Sequence, residues 1–183
     1  MTTTTRKRTP DLDLLRELSE ARTYYEERFG WPVTIEVDPG RLVMRLGDQL
    51  DAVVMPEPLG RGVLTDLRIT LLAGPVLADT TGQWWLFLTQ PSANCRPAPK
   101  DYAESGSARL RCLEVHPLPA GSRVVVPREI DETKEWPWIE RPRPLHRLPP
   151  WRAVIATARR IGAQSPPAAA IPAQRDGGLA RSR

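Results

Sequence analysis

The sequence contains few of the residues that build metal sites and nucleophilic centres. Two cysteines and two histidines occur among its 183 residues. Cys95 and Cys112 form no Cys-x-x-Cys pair and have no histidine pair nearby, which excludes the common zinc motifs. We therefore expect two reduced thiols, Cys95 in a loop and Cys112 in a strand, and no metal site. His116 and His146 stand beside or near prolines, outside any known catalytic pattern, and are predicted to occupy loops without a chemical role.

Long apolar runs are missing as well. No stretch approaches the roughly 20 apolar residues needed to cross a bilayer, and residues 1–8 lack the apolar segment of a signal peptide. The sequence predicts a cytoplasmic protein with no membrane partner. Hydrophobic residues make up 40% and charged residues 26% of the chain, as in an ordinary globular domain, and a chain of this length fits one domain. The oligomeric state is left open.

Proline and positive charge are, by contrast, abundant. The chain has 20 prolines and a formal net charge of +4, with a pI of about 9.5. Much of the excess charge lies at the two ends, in Arg6, Lys7, Arg8, Arg175, Arg181 and Arg183. Such basic tails contact the phosphates of an anionic polymer, or they act as solubilising segments, which is the commoner role. Both interpretations stay open.

Hydrophobic spacing predicts an α+β fold, a single domain in which a mixed or antiparallel sheet of hairpins is flanked by an N-terminal and a C-terminal helix. The first helix follows the N-cap Thr9 and ends at Gly30, and the last one opens at Pro150. Between them, apolar residues at 59–71 have helical spacing. The predicted strands are residues 31–37, 41–46, 51–55, 74–78, 84–88, 109–115, 123–126 and 136–139.

The domain is expected to span residues 9–162. A disordered basic arm at residues 1–8 precedes it, and a disordered tail rich in proline, alanine and arginine follows at residues 163–183. Residues 92–107 have the composition of a long surface loop. The continuous apolar run at residues 51–55 is typical of a strand buried on both faces.

Two local features are candidates for binding or catalysis. Asp48 and Asp51 straddle the start of the buried strand, but three residues apart in a strand they point to opposite faces, so they do not form a metal pair. Gly60, Arg61 and Gly62 precede the helical spacing and resemble a very short phosphate-binding turn, with Arg61 as the counter-charge. Isolated glycines near a helix start are more often structural.

The chain holds six tryptophans, five of them between residues 84 and 151 among many arginines. Tryptophan beside arginine is a combination that stacks nucleic-acid bases. Neighbours in a strand face opposite sides, so one of Trp84 and Trp85 is expected in the core and the other outside it or under the last helix. Trp31, directly after the helix stop at Gly30, is expected in the core.

Several segments, taken in chain order, resemble the bifunctional DNA primase/polymerase (Prim-Pol) domain of the archaeo-eukaryotic primase superfamily, in particular its short actinobacterial versions. The resemblance covers roughly residues 20–160. It includes an opening helix followed by a Gly-Trp strand, an acidic strand, a Thr-Gly hairpin, a Gly-rich turn before a valine strand, and a closing aromatic strand. The corresponding segments are Tyr24–Val33, Leu50–Met55, Gly74–Phe87, Pro119–Pro127 and Trp136–Trp138.

The resemblance implies a protein that has lost its catalytic set. Polymerising members hold divalent metal with an Asp-x-Asp pair on the acidic strand and place a histidine of the later hairpin near the nucleotide phosphates. Here Asp51 is followed by Ala52 and Val53, and Trp85 stands at the histidine position. Two-metal phosphoryl transfer requires clustered carboxylates. No catalytic residue and no cofactor are therefore expected. Magnesium or manganese would be bound only if the protein were an active enzyme.

Three hypotheses of function follow. The preferred one is a degenerate, catalytically inactive primase/polymerase-like domain that binds DNA, a nucleotide or a replication protein. Its candidate nucleic-acid contacts are Arg61, Trp85, Arg123 and Arg128, beside the residual acids Asp48 and Asp51. The first alternative is a protein-interaction or regulatory module whose tryptophans and prolines form a docking surface, without nucleic-acid binding. The second is an active template-directed nucleotidyltransferase that uses Asp48, Asp51 and Asp66.

Overall fold

The computed structural model describes residues 12–91, 107–128, 137–144 and 147–164. The helices in these ranges are α1 (Leu12–Phe29), α2 (Glu57–Ile69), α3 (Ser107–Cys112) and α4 (Trp151–Gln164). The strands are β1 (Val33–Glu36), β2 (Arg41–Arg45), β3 (Asp51–Pro56), β4 (Val76–Ala78), β5 (Trp84–Thr89), β6 (His116–Pro117), β7 (Arg123–Val126) and β8 (Trp138–Glu140). None of the described helices is long and apolar enough to cross a membrane.

The strands form two antiparallel sheets. The larger one has the order β6-β3-β5-β4-β8 and the smaller one the order β1-β2-β7. Helices α1 and α4 stand at the two ends of this arrangement, so the predicted α+β class with flanking terminal helices is confirmed. Strand β3 lies between two neighbours and is largely buried, as its apolar run predicted.

Helix α1 forms because one side of its sequence is apolar and the other carries opposite charges four residues apart. Leu18 and Tyr25 are fully buried, while Arg16 pairs with Glu20 at 3.0 Å on the exposed side. Pairs at this spacing stabilise a helix by about 0.2–0.5 kcal/mol each. Gly30 ends the helix with φ of +68°, a backbone conformation that glycine adopts without strain. The predicted N-cap Thr9 lies outside the described residues.

One core lies between α1, the small sheet and one face of the large sheet. The buried Tyr25 ring stacks on Trp31 with 6.0 Å between ring centroids, and Trp31 lies 6.3 Å from Trp138 of the large sheet. Burial raises the pKa of the Tyr25 phenol, which therefore stays protonated and donates to the Pro127 carbonyl oxygen at 2.9 Å. This core confirms the expected burial of Trp31, which is 6% exposed.

A second core lies between the other face of the large sheet and helices α2 and α4. Successive β3 residues alternate between the cores, so Val53 and Met55 face the helices whereas Ala52 faces the small sheet. Helices α2 and α4 pack against each other, with Gly62 of α2 against Ile161 of α4. The large sheet is therefore covered on both faces.

The prediction of a strand at residues 109–115 is wrong. Residues Ser107–Cys112 form helix α3, so Cys112 lies in a helix and is exposed. Leu110 is buried and Leu113 packs on the second core, and their spacing of three places both on one side of a helical turn. In so short a segment, the apolar residues fit both the spacing of a strand and that of a helix, so packing against α4 determines which of the two forms.

Three further expectations need correction. Helix α2 begins at Glu57 and contains both glycines in its regular part, whereas Leu71 lies beyond the helix with φ of +58° and is 91% exposed. His116 belongs to strand β6, which pairs with β3, rather than to a loop. Helix α4 continues through Gln164, two residues past the expected boundary of the tail. The predicted arm, most of the 92–107 loop, and His146 lie outside the described residues.

Candidate functional site

A cleft opens at one end of the large sheet, where β3 passes into α2 and the β4–β5 hairpin turns. Its volume is about 710 Å³, within the range of roughly 300–1,000 Å³ that is usual for ligand sites. Trp84 and Trp85 form part of its wall, and the charged residues that line it within the described ranges are Glu57, Arg61 and Glu114. We call it the tryptophan cleft.

Asp79 fixes the hairpin that borders the tryptophan cleft. Its Oδ1 accepts a hydrogen bond from the Trp84 backbone N–H at 3.0 Å, and its Oδ2 accepts one from the Thr81 hydroxyl at 2.6 Å. The Glu57 backbone N–H then donates to the Gln83 carbonyl at 2.7 Å and ties the start of α2 to this hairpin. Partial burial alone would raise the pKa of the Asp79 carboxyl, but the hydrogen bonds from Thr81, Trp84 and Gln83 together lower it.

The lowered pKa of Asp79 predicts an acid-sensitive hairpin. Because the ionised carboxylate is favoured in the folded state, its contribution is present above the unfolded-state pKa of about 3.9 and is lost as pH falls through the lower folded-state value. We expect native protein to lose more stability than Asp79→Asn between about pH 5 and pH 2 in urea unfolding curves. Equal losses in the two proteins would contradict this assignment.

The two neighbouring tryptophans face opposite sides of the large sheet, as predicted. Trp85 is 7% exposed and belongs to the second core. It lies so close under α2 that a Cβ built on Gly60 would come within 3.0 Å of its ring. Trp84 is half-buried on the other side, with its ring 6.3 Å from the His116 ring. Trp85 therefore offers the cleft little surface for a stacked base.

Arg61 does line the tryptophan cleft, but it is held by a carboxylate. Its Nε donates to Glu57 Oε1 at 2.8 Å, and a second contact from Nη2 reaches the same oxygen. Glu114, which also lines the cleft, adds a second negative charge. Gly60 and Gly62 lie inside helix α2 rather than ahead of it, so the predicted phosphate-binding turn is not formed by these residues.

The candidate acids do not come together. Asp48 is exposed in the turn before β3, whereas Asp51 is 3% exposed and stands opposite Thr89 at the start of β3. Asp66 lies on α2 and pairs with Arg160 of α4. Among the described residues there is no group of three or more histidine, cysteine, aspartate or glutamate side chains placed to hold a metal ion. These carboxylates do not fit the two-metal centre that polymerising primases require.

The remaining candidate contacts lie elsewhere on the molecule. Arg123 on β7 pairs with Glu36 of β1, which also accepts from Arg41 at 2.6 Å. Arg128 lies 3.4 Å from Glu17 of α1. The structure therefore brings Arg61 and Trp85 to one cleft, while Arg123 and Arg128 occupy two other places.

A second, smaller pocket was not foreseen from the sequence. Arg28, Arg143 and Arg147 line a space of about 290 Å³ with the aromatic residues Phe29 and Trp31. Within the described ranges no carboxylate lines this pocket, which we call the arginine pocket. The basic run between residues 141 and 147 is a signal that could have drawn attention to it, but its proximity to the end of α1 depends on the fold.

Neither protein-family models, nor curated proteins, nor solved structures match this chain. The resemblance to the Prim-Pol domain accordingly rests on the order of sequence segments and stays a prediction.

The two pockets differ in the chemistry they allow. Among the described residues, the tryptophan cleft has apolar walls and a lining with two carboxylates and one guanidinium group, so it suits an extended apolar or cationic segment. In the part of the chain that the structure describes, the arginine pocket presents guanidinium groups and no lining carboxylate, so it suits an anion such as a phosphate or a carboxylate.

Proposed function

We propose that this chain is a non-catalytic, cytoplasmic domain of the primase/polymerase-like type that binds single-stranded nucleic acid. The observation that carries the proposal is the arginine pocket, in which Arg28, Arg143 and Arg147 surround one space that no carboxylate of the described residues lines. Phosphate is recognised best by guanidinium groups, because each can donate two parallel hydrogen bonds to its oxygens.

The ion pairs on the surface favour arginines of the arginine pocket as phosphate contacts over Arg61, Arg123 and Arg128, the arginines predicted from the sequence. Arg61, Arg123 and Arg128 each have a carboxylate partner, and within the pocket Arg143 Nη2 lies 3.3 Å from Glu140 Oε1. Arg28 and Arg147 have no ion pair within the part of the chain that the structure describes. Guanidinium groups that are not already neutralised bind a phosphate without first breaking an internal contact, so these two arginines are the better anchors.

An exposed aromatic ring stands beside the arginine pocket. Phe29 lines the pocket, and the Tyr24 ring packs against it edge-on with 5.8 Å between ring centroids. Tyr24 is 43% exposed on the outer surface of α1. Proteins that bind single strands combine a basic groove with aromatic rings on which bases stack, at about 1–3 kcal/mol per base. Tyr24 supplies such a ring next to the phosphate anchors.

The proposal predicts the effect of removing Arg28 and Arg147, which have no ion pair with a described residue. Fluorescence anisotropy of a labelled single-stranded DNA oligonucleotide, titrated at several salt concentrations, compares native protein with the double variant Arg28→Ala/Arg147→Ala. We expect binding at low salt to weaken about tenfold or more, since charge-assisted hydrogen bonds contribute about 1.5–3 kcal/mol each. The slope of log affinity against log salt should fall by about 1 to 1.5.

Two matched variants make the test specific. Arg159→Ala removes an exposed α4 guanidinium outside the arginine pocket, and Arg61→Ala removes one that Glu57 already neutralises. We expect both to bind within about twofold of native protein. Equal losses in all three variants would mean that only diffuse charge is sensed, and no binding by native protein at low salt would refute the proposal.

A second candidate function is protein interaction without nucleic-acid binding. The tryptophan cleft favours it, because among the described residues of its lining Glu57 and Glu114 outnumber Arg61 and would repel a phosphate backbone. Absence of oligonucleotide binding at low salt would leave this function as the better supported one.

A further inference from the structure

The wall of the tryptophan cleft contains three prolines, Pro56, Pro58 and Pro137, beside the ring of Trp84. Proline has no backbone N–H, so this part of the wall donates no backbone hydrogen bond to a ligand. An added strand, which depends on such bonds, is therefore a poor fit, whereas a segment held by ring contacts is a good one. Trp84 is half-buried, so part of its indole surface is open to such a segment.

One negative charge remains uncompensated among the described residues that line the cleft. Glu57 pairs with Arg61, so these two residues neutralise each other. Glu114 is exposed and has no ion pair with any residue that the structure describes. A cationic side chain that enters the cleft can therefore pair with Glu114 without first displacing a described partner.

Glu114 occupies its place on the cleft at a conformational cost. Helix α3 ends in two hydrogen bonds, from the Glu114 N–H to the Arg111 carbonyl at 3.0 Å and from the Val115 N–H to the Leu110 carbonyl at 2.8 Å. This is the Schellman arrangement, in which the residue at the Glu114 position is usually glycine. Glu114 has φ of +53°, where a side chain is strained. Strain of this kind is concentrated at residues that bind ligands.

We propose that the tryptophan cleft binds a proline-rich, basic segment of a partner protein. Such a segment adopts the extended polyproline II conformation, which has no internal hydrogen bonds and loses little entropy when it binds an aromatic-lined groove. Its proline rings pack on Trp84, and an arginine or lysine beside them pairs with Glu114. The tryptophan cleft shares no described lining residue with the arginine pocket, so this interaction does not depend on nucleic-acid binding.

Fluorescence anisotropy of labelled synthetic peptides with the full-length protein tests the proposal. The first peptide is Arg-Pro-Pro-Ala-Pro-Pro-Arg, the second has glutamate in place of both arginines, and the third has serine in place of every proline. We expect the first peptide to bind at least about tenfold more tightly than the other two, because each of these lacks one of the two complementary features. The first peptide should also shift the indole N–H signal of Trp84.

Substitutions at Glu114 distinguish a binding role from a structural one. Glu114→Gln should weaken binding of the first peptide about three- to fivefold, as expected for the loss of one exposed ion pair. Glu114→Gly should weaken binding to the same extent and yet raise the urea midpoint of unfolding, because glycine adopts a positive φ without strain. Trp84→Ala should weaken binding about tenfold or more, as expected for a central aromatic contact.

Glu27→Gln is the matched control, because Glu27 is an exposed glutamate of α1 that also lacks an ion pair with a described residue. Its peptide affinity should stay within about twofold of native. Affinity of Glu114→Gln and Trp84→Ala for a single-stranded oligonucleotide should also stay within about twofold, so the two binding proposals succeed or fail separately.

Three results would overturn the proposal. The first is that native protein binds none of the peptides, or binds the acidic peptide as tightly as the basic one. The second is an affinity for the basic peptide that neither Glu114→Gln nor Trp84→Ala changes, because the peptide would then bind elsewhere. The third is self-association of native protein that Trp84→Ala abolishes, which would assign the cleft to a second copy of the chain.

Discussion

Replacing Trp31 by alanine is expected to destabilise the protein by about 3–5 kcal/mol, the usual cost of deleting a large buried aromatic side chain. Trp31 is 6% exposed and joins three other rings, since it lies 6.0 Å from Tyr25, 4.9 Å from Phe29 and 6.3 Å from Trp138. It is the bridge between α1 and the large sheet. At about 2–4 °C per kcal/mol for a chain of this size, the melting temperature should fall by roughly 6–20 °C.

Ile69→Ala provides the matched comparison. Ile69 is 76% exposed at the end of α2, so its truncation should change stability by no more than about 0.5 kcal/mol. Both variants are to be measured by urea unfolding with two independent probes. If a soluble Trp31→Ala protein had the same urea midpoint of unfolding as native protein, the aromatic cluster would not be what stabilises the first core.

Elements with strong local signals were predictable from the sequence. The spacing of Leu14, Leu18, Ala21 and Tyr25 defines α1, and Gly30 defines its end, because helix periodicity and the left-handed stop are both local properties. The two hairpins follow from turn residues between alternating strands. In the second one the turn chemistry is visible in the structure, where Asp79 accepts the hydrogen bonds that close the turn.

Elements that depend on distant partners were not predictable in this way. Residues 107–112 are too short for periodicity to decide between helix and strand, and their helical state accompanies the contact of Leu113 with Gly162 of α4. His116 and Pro117 form a strand because β3 offers a free edge. The pairing of β7 with β2, which creates a second sheet, joins segments about 80 residues apart, and no local pattern records it.

The same distinction applies to the sites. Arg61 and Trp85 line the same cleft because the β4–β5 hairpin and the start of α2 both border the end of β3. The order of these segments in the sequence is sufficient to predict that the two residues lie near each other. Arg28 meets Arg143 and Arg147 only through the packing of α1 beside the large sheet. Arg61 is neutralised by Glu57 because α2 begins at Glu57, earlier than the predicted helix at residues 59–71, which places the two residues one helical turn apart.

Replacing Trp85 by alanine is the second change with a large expected effect, again about 3–5 kcal/mol. Trp85 is 7% exposed and fills the space between β5 and α2, so its removal leaves a cavity under the helix. Trp84→Ala should cost clearly less, because Trp84 is half-buried and faces the opposite side. Thermal and urea unfolding of both variants measure the difference, and equal costs would contradict the placement of the two rings.

Substitutions of Trp85 should change the stability of the protein but not its affinity for an oligonucleotide. If this ring were a stacking contact, its loss would weaken oligonucleotide binding by about 1–3 kcal/mol. We expect the affinity of the still-folded, conservative variant Trp85→Phe to stay within about twofold of native, because the ring lies in the second core. Trp85→His should not produce primer extension with magnesium or manganese, since Asp51 has no second acid beside it on β3.

A double-mutant cycle between Trp85 and Gly60 shows whether the ring occupies its predicted place. Alanine normally stabilises a helix interior by about 1 kcal/mol relative to glycine, but in native protein a Cβ on Gly60 would lie 3.0 Å from the Trp85 ring and 3.2 Å from its Cβ. Gly60→Ala should therefore fail to stabilise native protein. In the Trp85→Ala background the ring is gone, so the same substitution should recover about 1 kcal/mol. An identical effect of Gly60→Ala in both backgrounds would mean that the indole does not lie beneath α2, and Trp85 would then return to the list of residues that could contact a ligand in the tryptophan cleft.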